Sequence, residues 1–226
     1  MTAIFVTATG TNIGKTYLTA GLVGALRAKG KAACALKPVI SGFDLAAVET
    51  SDSGVLLHAM GQAVTPQSIA RISPWRFRAA LSPDMAAARE NRAIDFAELI
   101  TFCRGAITVT DDVLFIEGVG GVMVTLTAQH TVLDWIAALE IPVLLVAGTY
   151  LGTISHTLTA LDVLKSRAIA VRAIVLNESA NSTVPTGETI KTIVRFALGI
   201  PVVTFPRVDD FAMPDAVLEK LCGYVE

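Results

Sequence analysis

The chain has 226 residues, of which 53% are hydrophobic and 17% charged, and its 18 basic against 20 acidic side chains leave a net charge of −2. That length accommodates one large α/β domain over residues 1–226, and the apolar excess calls for a sheet buried on both faces, as parallel sheets are. The near-neutral charge excludes an electrostatic footprint for nucleic acid or an anionic membrane, so the expected partners are small molecules.

In chain order, Ile4-Phe5-Val6 opens a strand, and the spacing of Leu18, Gly21, Leu22, Ala25 and Leu26 predicts a helix over Lys15 to Ala28. Between them runs Thr7-Ala8-Thr9-Gly10-Thr11-Asn12-Ile13-Gly14-Lys15-Thr16. Strand, glycine-containing loop, Lys-Thr and helix together form a phosphate loop for a nucleoside triphosphate. Backbone N–H groups and the helix N-terminus face the phosphates, the lysine neutralises their outer charge, and the threonine hydroxyl ligates magnesium. The common form G-x-x-x-x-G-K-[ST] places glycine where this chain has Thr9, with Gly10 one position late, so the loop is a variant.

A second strand, Ala32 to Leu36, runs into Lys37-Pro38-Val39-Ile40-Ser41-Gly42. Two lysines at neighbouring strand ends make sense where nucleotide and substrate are both anionic; a solvated lysine is the plainer alternative. Helical patterns follow at Asp52 to Met60, Pro83 to Asn91 and Phe96 to Arg104. Asp52 reads equally as a helix cap, and Ser82-Pro83 as an N-cap with proline at the first helical position.

The third strand, Val113 to Ile116, ends at Glu117, ahead of Gly118-Val119-Gly120-Gly121. A carboxylate there can bind or orient magnesium, while glycines let backbone approach phosphate oxygens. The remaining pattern alternates: helix Leu133 to Leu139, strand Val143 to Ala147, helix Ile154 to Lys165, strand Ile174 to Leu176, helix Glu188 to Leu198, strand Val202 to Phe205 and helix Asp215 to Leu221. This succession predicts an α/β fold like that of the P-loop NTPases, a mainly parallel sheet flanked by helices. The segments beyond the strand ends, including Gly148 to Gly152, Asn177-Glu178 and Pro206, should then gather around one site.

His58, His130 and His156 are too scattered for a metal site, and no Ser/His/Asp or Cys/His set is evident. Cys34, Cys103 and Cys222 lack C-x-x-C spacing and are odd in number, which points to reduced thiols in a cytoplasmic protein. The start of the chain shows no basic leader, so no signal peptide is expected, and no apolar run approaches the roughly 18 residues of a membrane span.

Taken together, Asn12-Ile13-Gly14-Lys15-Thr16, Lys37-Pro38-Val39-Ile40-Ser41-Gly42, Ser51-Asp52, Ser82-Pro83, Glu117-Gly118-Val119-Gly120-Gly121, Leu151-Gly152-Thr153-Ile154-Ser155-His156 and Asn177 resemble dethiobiotin synthetase over nearly the whole chain. The lysine-proline block and the Leu151 to His156 block are the specific ones. The resemblance implies closure of a ureido ring from 7,8-diaminononanoate, carbon dioxide and ATP with magnesium, through a carbamate and a carbamic-phosphoric anhydride. It also implies a homodimer with substrate near the interface.

Carried over by position, Lys15 and Lys37 are the catalytic lysines. Lys15 would hold the β and γ phosphates; Lys37 would stabilise the carbamate and the transferring phosphoryl group. Thr16, Asp52 and Glu117 would surround magnesium. Asn12, Ile13, Gly14, Tyr17, Gly118, Val119 and Gly120 would line the nucleotide, and Asn177 with Pro206, Arg207 and Val208 would hold adenine. Thr11 and Ser41 would contact the carbamate end. Gly152, Thr153 and Ser155 would receive the distant carboxylate of a substrate from the partner subunit, helped by the helix start.

The chain departs from this family at several positions. Ala8 stands where glycine is usual, Asn12 where glutamate is common, Asp84 where Ser-Pro-His is common, Thr125 where proline is common, and Ser155 where asparagine is common. A nucleotide switch or partitioning ATPase of the same fold group is the alternative reading. Those proteins typically carry a signature lysine five positions before the Lys15 equivalent, where Gly10 stands. Amidating synthetases for cobyrinate-like acids append a glutaminase domain for which 226 residues leave no room.

Overall fold

The structure, a computed structural model, describes residues 2–180, 182–207 and 214–225. Strand β1 (Thr2–Ala8) leads through the phosphate loop into α1 (Lys15–Ala28), which ends before the left-handed Gly30. β2 (Ala33–Leu36) follows, then the short β3 (Val39–Ser41) and a 3₁₀ turn over Leu45–Thr50. Next come α2 (Asp52–Ala59), α3 (Pro66–Ile72), β4 (Trp75–Phe77), α4 (Pro83–Arg89) and α5 (Phe96–Val109). The second half alternates β5 (Val113–Glu117), α6 (Val132–Leu139), β6 (Val143–Gly148), α7 (Thr153–Ser166), β7 (Val171–Asn177), α8 (Thr186–Phe196), β8 (Val202–Phe205) and α9 (Asp215–Val225).

Six strands form one parallel sheet in the order β2-β5-β1-β6-β7-β8. β1, β5 and β6 are largely apolar on both faces, as strands of a parallel sheet covered by helices are, with the buried Thr7 and Glu117 as exceptions toward the carboxyl ends. Phe5 on β1 and Trp135 on α6, both solvent-free, meet edge to face with ring centroids 4.9 Å apart.

Register places the site. Leu36 lies beside Ile116, so the next residues, Lys37 and Glu117, emerge side by side at the carboxyl edge. Gly148 pairs with Asn177, and Asn177 with Phe205, which brings the last three strand ends together.

The six apolar runs of the sequence are the six strands of this sheet. Unanticipated were the two-stranded parallel sheet of β3 and β4, the 3₁₀ turn and α3. β3 and β4 have three residues each, too short for alternation to register as a signal. α3 did carry a start signal, Thr65-Pro66, where Thr65 and Ser68 form a capping box. α5 continues past Arg104 to Val109, with Gly105 inside it. Among the described residues no helix is long and apolar enough to cross a membrane. Val208, expected at the nucleotide, and Asp209 and Asp210 lie outside the described residues.

Candidate nucleotide and phosphoryl-transfer site

The phosphate loop closes on α1 through Gly14, whose φ of 87° is left-handed. A Cβ at Gly14 would stand 2.3 Å from Asn177 Nδ2, so conformation and space both call for glycine. Asn12 is also left-handed, at φ 57°, a conformation that asparagine tolerates better than most side chains. The buried Lys15 folds back across the loop, and its ammonium donates to Gly10 O at 3.2 Å and Gly120 O at 2.8 Å. Burial, and then the nearby Lys37 charge, bring its pKa down to about 8 against the opposing pull of Glu117 and Asp52.

Lys37 is 3% exposed and Glu117 0%, and they form the centre of the site. Lys37 Nζ donates to Glu117 Oε1 at 2.6 Å and to Gly118 O at 2.9 Å, and lies 2.9 Å from Asp52 Oδ2. Burial alone depresses the pKa of Lys37, but the Glu117 and Asp52 carboxylates outweigh it and hold the ammonium above its ordinary value. Burial likewise pushes Asp52 up, and Lys37 with the Thr16 hydroxyl pulls it below the usual carboxylate range. Thr16 Oγ1 lies 2.7 Å from Glu117 Oε1 and 2.9 Å from Asp52 Oδ1, so its single proton can serve either carboxylate. Both lysine ammoniums are thus held by carbonyls of one turn, Gly118 to Gly120, within which Val119 is buried.

Asp52 is not the cap of α2. Ser51 fills that position and accepts from Gly54 N–H at 3.2 Å, which leaves the Asp52 carboxylate free to turn toward Thr16 and Lys37.

The donor set suits magnesium. Two carboxylates and a hydroxyl are hard oxygen donors, too few to enclose an ion, which leaves places for phosphate oxygens and water as magnesium prefers. Glu117 Oε2 is buried without a hydrogen-bond partner, an acceptor that a cation would satisfy. Among the described residues no group of three His, Cys, Asp or Glu side chains forms a cage of its own.

Beside the phosphate loop lies a cleft of about 430 Å³, lined by Asn12, Ile13, Gly14, Tyr17, Asn177 and the Phe205 to Arg207 segment. Tyr17 and Phe205 pack edge to face across its floor at 5.5 Å. Asn177 Nδ2 donates to Ile13 O at 2.5 Å, while its Oδ1 is buried with no hydrogen-bond partner and remains an acceptor. Glu178, in a strand-end segment expected at the site, also lines the cleft, as does Ser179, which carries no pattern that would single it out.

The other expected contacts divide. Ser41 ends β3, half-buried, and Thr11 is exposed on the phosphate loop. Gly152, left-handed at φ 99°, is the N-cap of α7, and Ser155 is exposed in its first turn. Thr153 differs from expectation: it is buried, its hydroxyl donates inward to Gly148 O at 2.5 Å, and its N–H donates to Tyr150 O at 3.0 Å. Both of its donors are thus engaged at the start of α7.

A parallel sheet with β1 at its centre, followed by a phosphate loop whose lysine and threonine face two carboxylates, is the architecture of a P-loop NTPase. The fold agrees: the chain superposes on the MinC:MinD cell division complex of Aquifex aeolicus with a TM-score of 0.59 at 15% identity, covering 93% of this chain and 84% of that one. For the ParA family ATPase of Chlorobium tepidum TLS the TM-score is 0.57 at 15% identity, covering 99% and 90%. The AAA domain family pattern matches residues 2–209.

The particular family follows from sequence. The chain is 48% identical over 211 residues to the ATP-dependent dethiobiotin synthetase BioD of Acidiphilium cryptum, covering 93% of this chain and 94% of that protein. It is 46% identical over 212 residues to the enzyme of the same name from Methylobacterium nodulans, covering 92% and 94%. The chain belongs to the ATP-dependent dethiobiotin synthetase family and is a ligase.

Proposed function

We propose that this ligase closes the ureido ring of dethiobiotin from 7,8-diaminononanoate, carbon dioxide and ATP, with magnesium. The observation that carries the reading is the meeting of Lys15, Lys37, Thr16, Asp52 and Glu117 around one turn, which supports a single cavity for accumulating negative charge. Thr16, Asp52 and Glu117 would hold magnesium, which when bound neutralises phosphate charge and orients the phosphate oxygens.

One amine of the substrate takes up carbon dioxide and releases a proton, forming a carbamate. A carbamate oxygen attacks the γ-phosphorus and ADP leaves. The second amine then attacks the carbonyl of the mixed anhydride, closing the ring and expelling phosphate. Lys15 holds the β and γ phosphates in line, and Lys37 offers its ammonium to the carbamate and the transferring phosphoryl group. Thr11 and Ser41 orient the carbamate end. Asn177, Tyr17 and the Pro206 segment hold the base, with Asn177 Oδ1 suited to accept from an exocyclic amine. Phosphoryl transfer asks little covalent work of side chains, so positioning and charge neutralisation supply most of the acceleration.

We place the distant carboxylate at Gly152, Ser155 and the start of α7, reached from the partner subunit of a homodimer, in a cytoplasmic enzyme. The decisive assay is magnesium-dependent phosphate release. Release that requires both the diamine and carbon dioxide supports the reading; equal release without the diamine favours a nucleotide switch.

A further inference from the structure

Two loops that serve opposite ends of this reaction are fastened to each other. The turn after β6 leads through Thr149 into α7, and the turn after β7, which includes Ser179, forms a wall of the nucleotide cleft. Thr149 N–H donates to Ser179 Oγ and Ser179 N–H donates to Thr149 Oγ1, each at 3.0 Å. The Ser182 hydroxyl adds a bond to Thr149 O. Thr149 is solvent-free. A Cβ on Gly148 would stand 2.6 Å from Ser179 Oγ, so the Ser179 hydroxyl occupies the space that a side chain at 148 would need. From the same stretch, Gly148 O accepts from Thr153 Oγ1 and Tyr150 O from Thr153 N–H. An unbroken series of bonds therefore runs from the cleft wall to the first turn of α7.

A reciprocal pair of this kind satisfies both partners in one relative placement of the loops, and on the solvent-free Thr149 side a broken bond is not readily replaced by water. We propose that Thr149 and Ser179 are positioning residues that couple nucleotide occupancy of the cleft to substrate binding at the start of α7. The inference rests on the assignment of the substrate carboxylate to that helix start. A base in the cleft pins the Asn177 to Ala180 turn, and the pair transmits that placement to Gly152 and Ser155. In a homodimer whose α7 anchors the substrate of the neighbouring site, the nucleotide of one protomer thereby sets the anchor used by the other.

The experiment is a titration of the dimeric full chain with 7,8-diaminononanoate, with and without magnesium and a non-hydrolysable ATP analogue. The ratio of the two diamine affinities within each variant is the readout, so a general weakening cancels. The wild type is expected to show a ratio of about 5-fold or more. Ser179→Ala and Thr149→Val are each expected to abolish that ratio, and Thr149→Ser, which keeps the hydroxyl, to preserve it. A wild type without the ratio, or a Ser179→Ala variant that keeps it in full, overturns the proposal. Ser155→Asp separates the two levels by setting a carboxylate against the substrate's own. If it leaves diamine affinity untouched, the helix-start assignment falls and the coupling with it; if it abolishes diamine binding while Ser179→Ala keeps the ratio, the coupling alone falls.

Discussion

Lys37 Nζ stands 2.6 Å from Glu117 Oε1, an ammonium and a carboxylate closed off from solvent and brought side by side by the register of β2 against β5. The pair is completed from outside the sheet by Asp52, whose side chain is 40% exposed. Lys37 is thus the ammonium in direct contact with both carboxylates, and its removal reads out both its electrostatic and its proposed catalytic part.

Lys37→Ala is expected to fold and to bind ATP while losing roughly 10² to 10³ or more in turnover. Its stability should fall by roughly the 3–5 kcal/mol typical when a buried ion pair loses one partner, because the solvent-free Glu117 carboxylate is left without its ammonium. Phosphate release and thermal denaturation measure the two effects, and unchanged turnover would remove Lys37 from the mechanism.

Glu117→Gln keeps the side-chain volume but removes a charge that faces both Thr16 and Lys37. The magnesium concentration giving half-maximal phosphate release is expected to rise about 10-fold or more, as even indirect damage to a metal's surroundings does. A magnesium titration that superimposes on the wild type would exclude Glu117 as a ligand.

Asn177→Ala removes both the amide that ties Ile13 and the unpartnered Oδ1 in the cleft. Nucleotide affinity is expected to fall about 10-fold, the equivalent of one hydrogen bond of about 1.4 kcal/mol. Gly14→Ala should be more severe, since the added Cβ lies 2.3 Å from Asn177 Nδ2 on a backbone of positive φ. Titration with a fluorescent ATP analogue ranks the two; near-wild-type binding by both would move the base out of this cleft.

Asp84 Oδ1 accepts the Thr125 hydroxyl at 2.7 Å, which ties the start of α4 to the loop after β5. Burial pushes the Asp84 carboxyl up, while the Ser82 and Thr125 hydroxyls and the Met85 and Asp84 N–H groups at the α4 start pull it below its ordinary value. The folded state therefore binds fewer protons than the unfolded one. The stabilisation is complete above the ordinary carboxylate pKa and is lost as pH falls through the lower folded value. Thr125→Val is expected to lower Tm by no more than about 4 °C at pH 7, given an exposed pair in a chain of this size. The deficit should shrink toward acid pH in scanning calorimetry; an undiminished deficit there would sever it from the ionised carboxylate.

Much of the fold was legible because a strand buried on both faces reads as an uninterrupted apolar run, as Ile4 to Val6 and Val143 to Ala147 do, and because helical patterns separate most of these runs. The site was legible for a related reason: parallel strands send every carboxyl end to one edge, so Lys37, Glu117 and Asn177 had to converge. The exceptions depend on information outside the local pattern. Ser51 rather than Asp52 caps α2, a choice between adjacent cap formers that tertiary partners decide. Thr153 turns inward because Gly148 O lies beneath it. The Thr149 and Ser179 pair depends on the alignment of Gly148 with Asn177, a register between strands separated by a helix.

The tethered ammonium among the acidic oxygens has a consequence for any metal ion that reaches them. Copper and zinc outcompete magnesium at most bare donor sets. Here an intruding ion meets a rival that is covalently attached, cannot diffuse away and keeps its local concentration on dilution. Under the proposed magnesium assignment, any cation that reaches these oxygens has to compete with the Lys37 ammonium for Glu117 and Asp52.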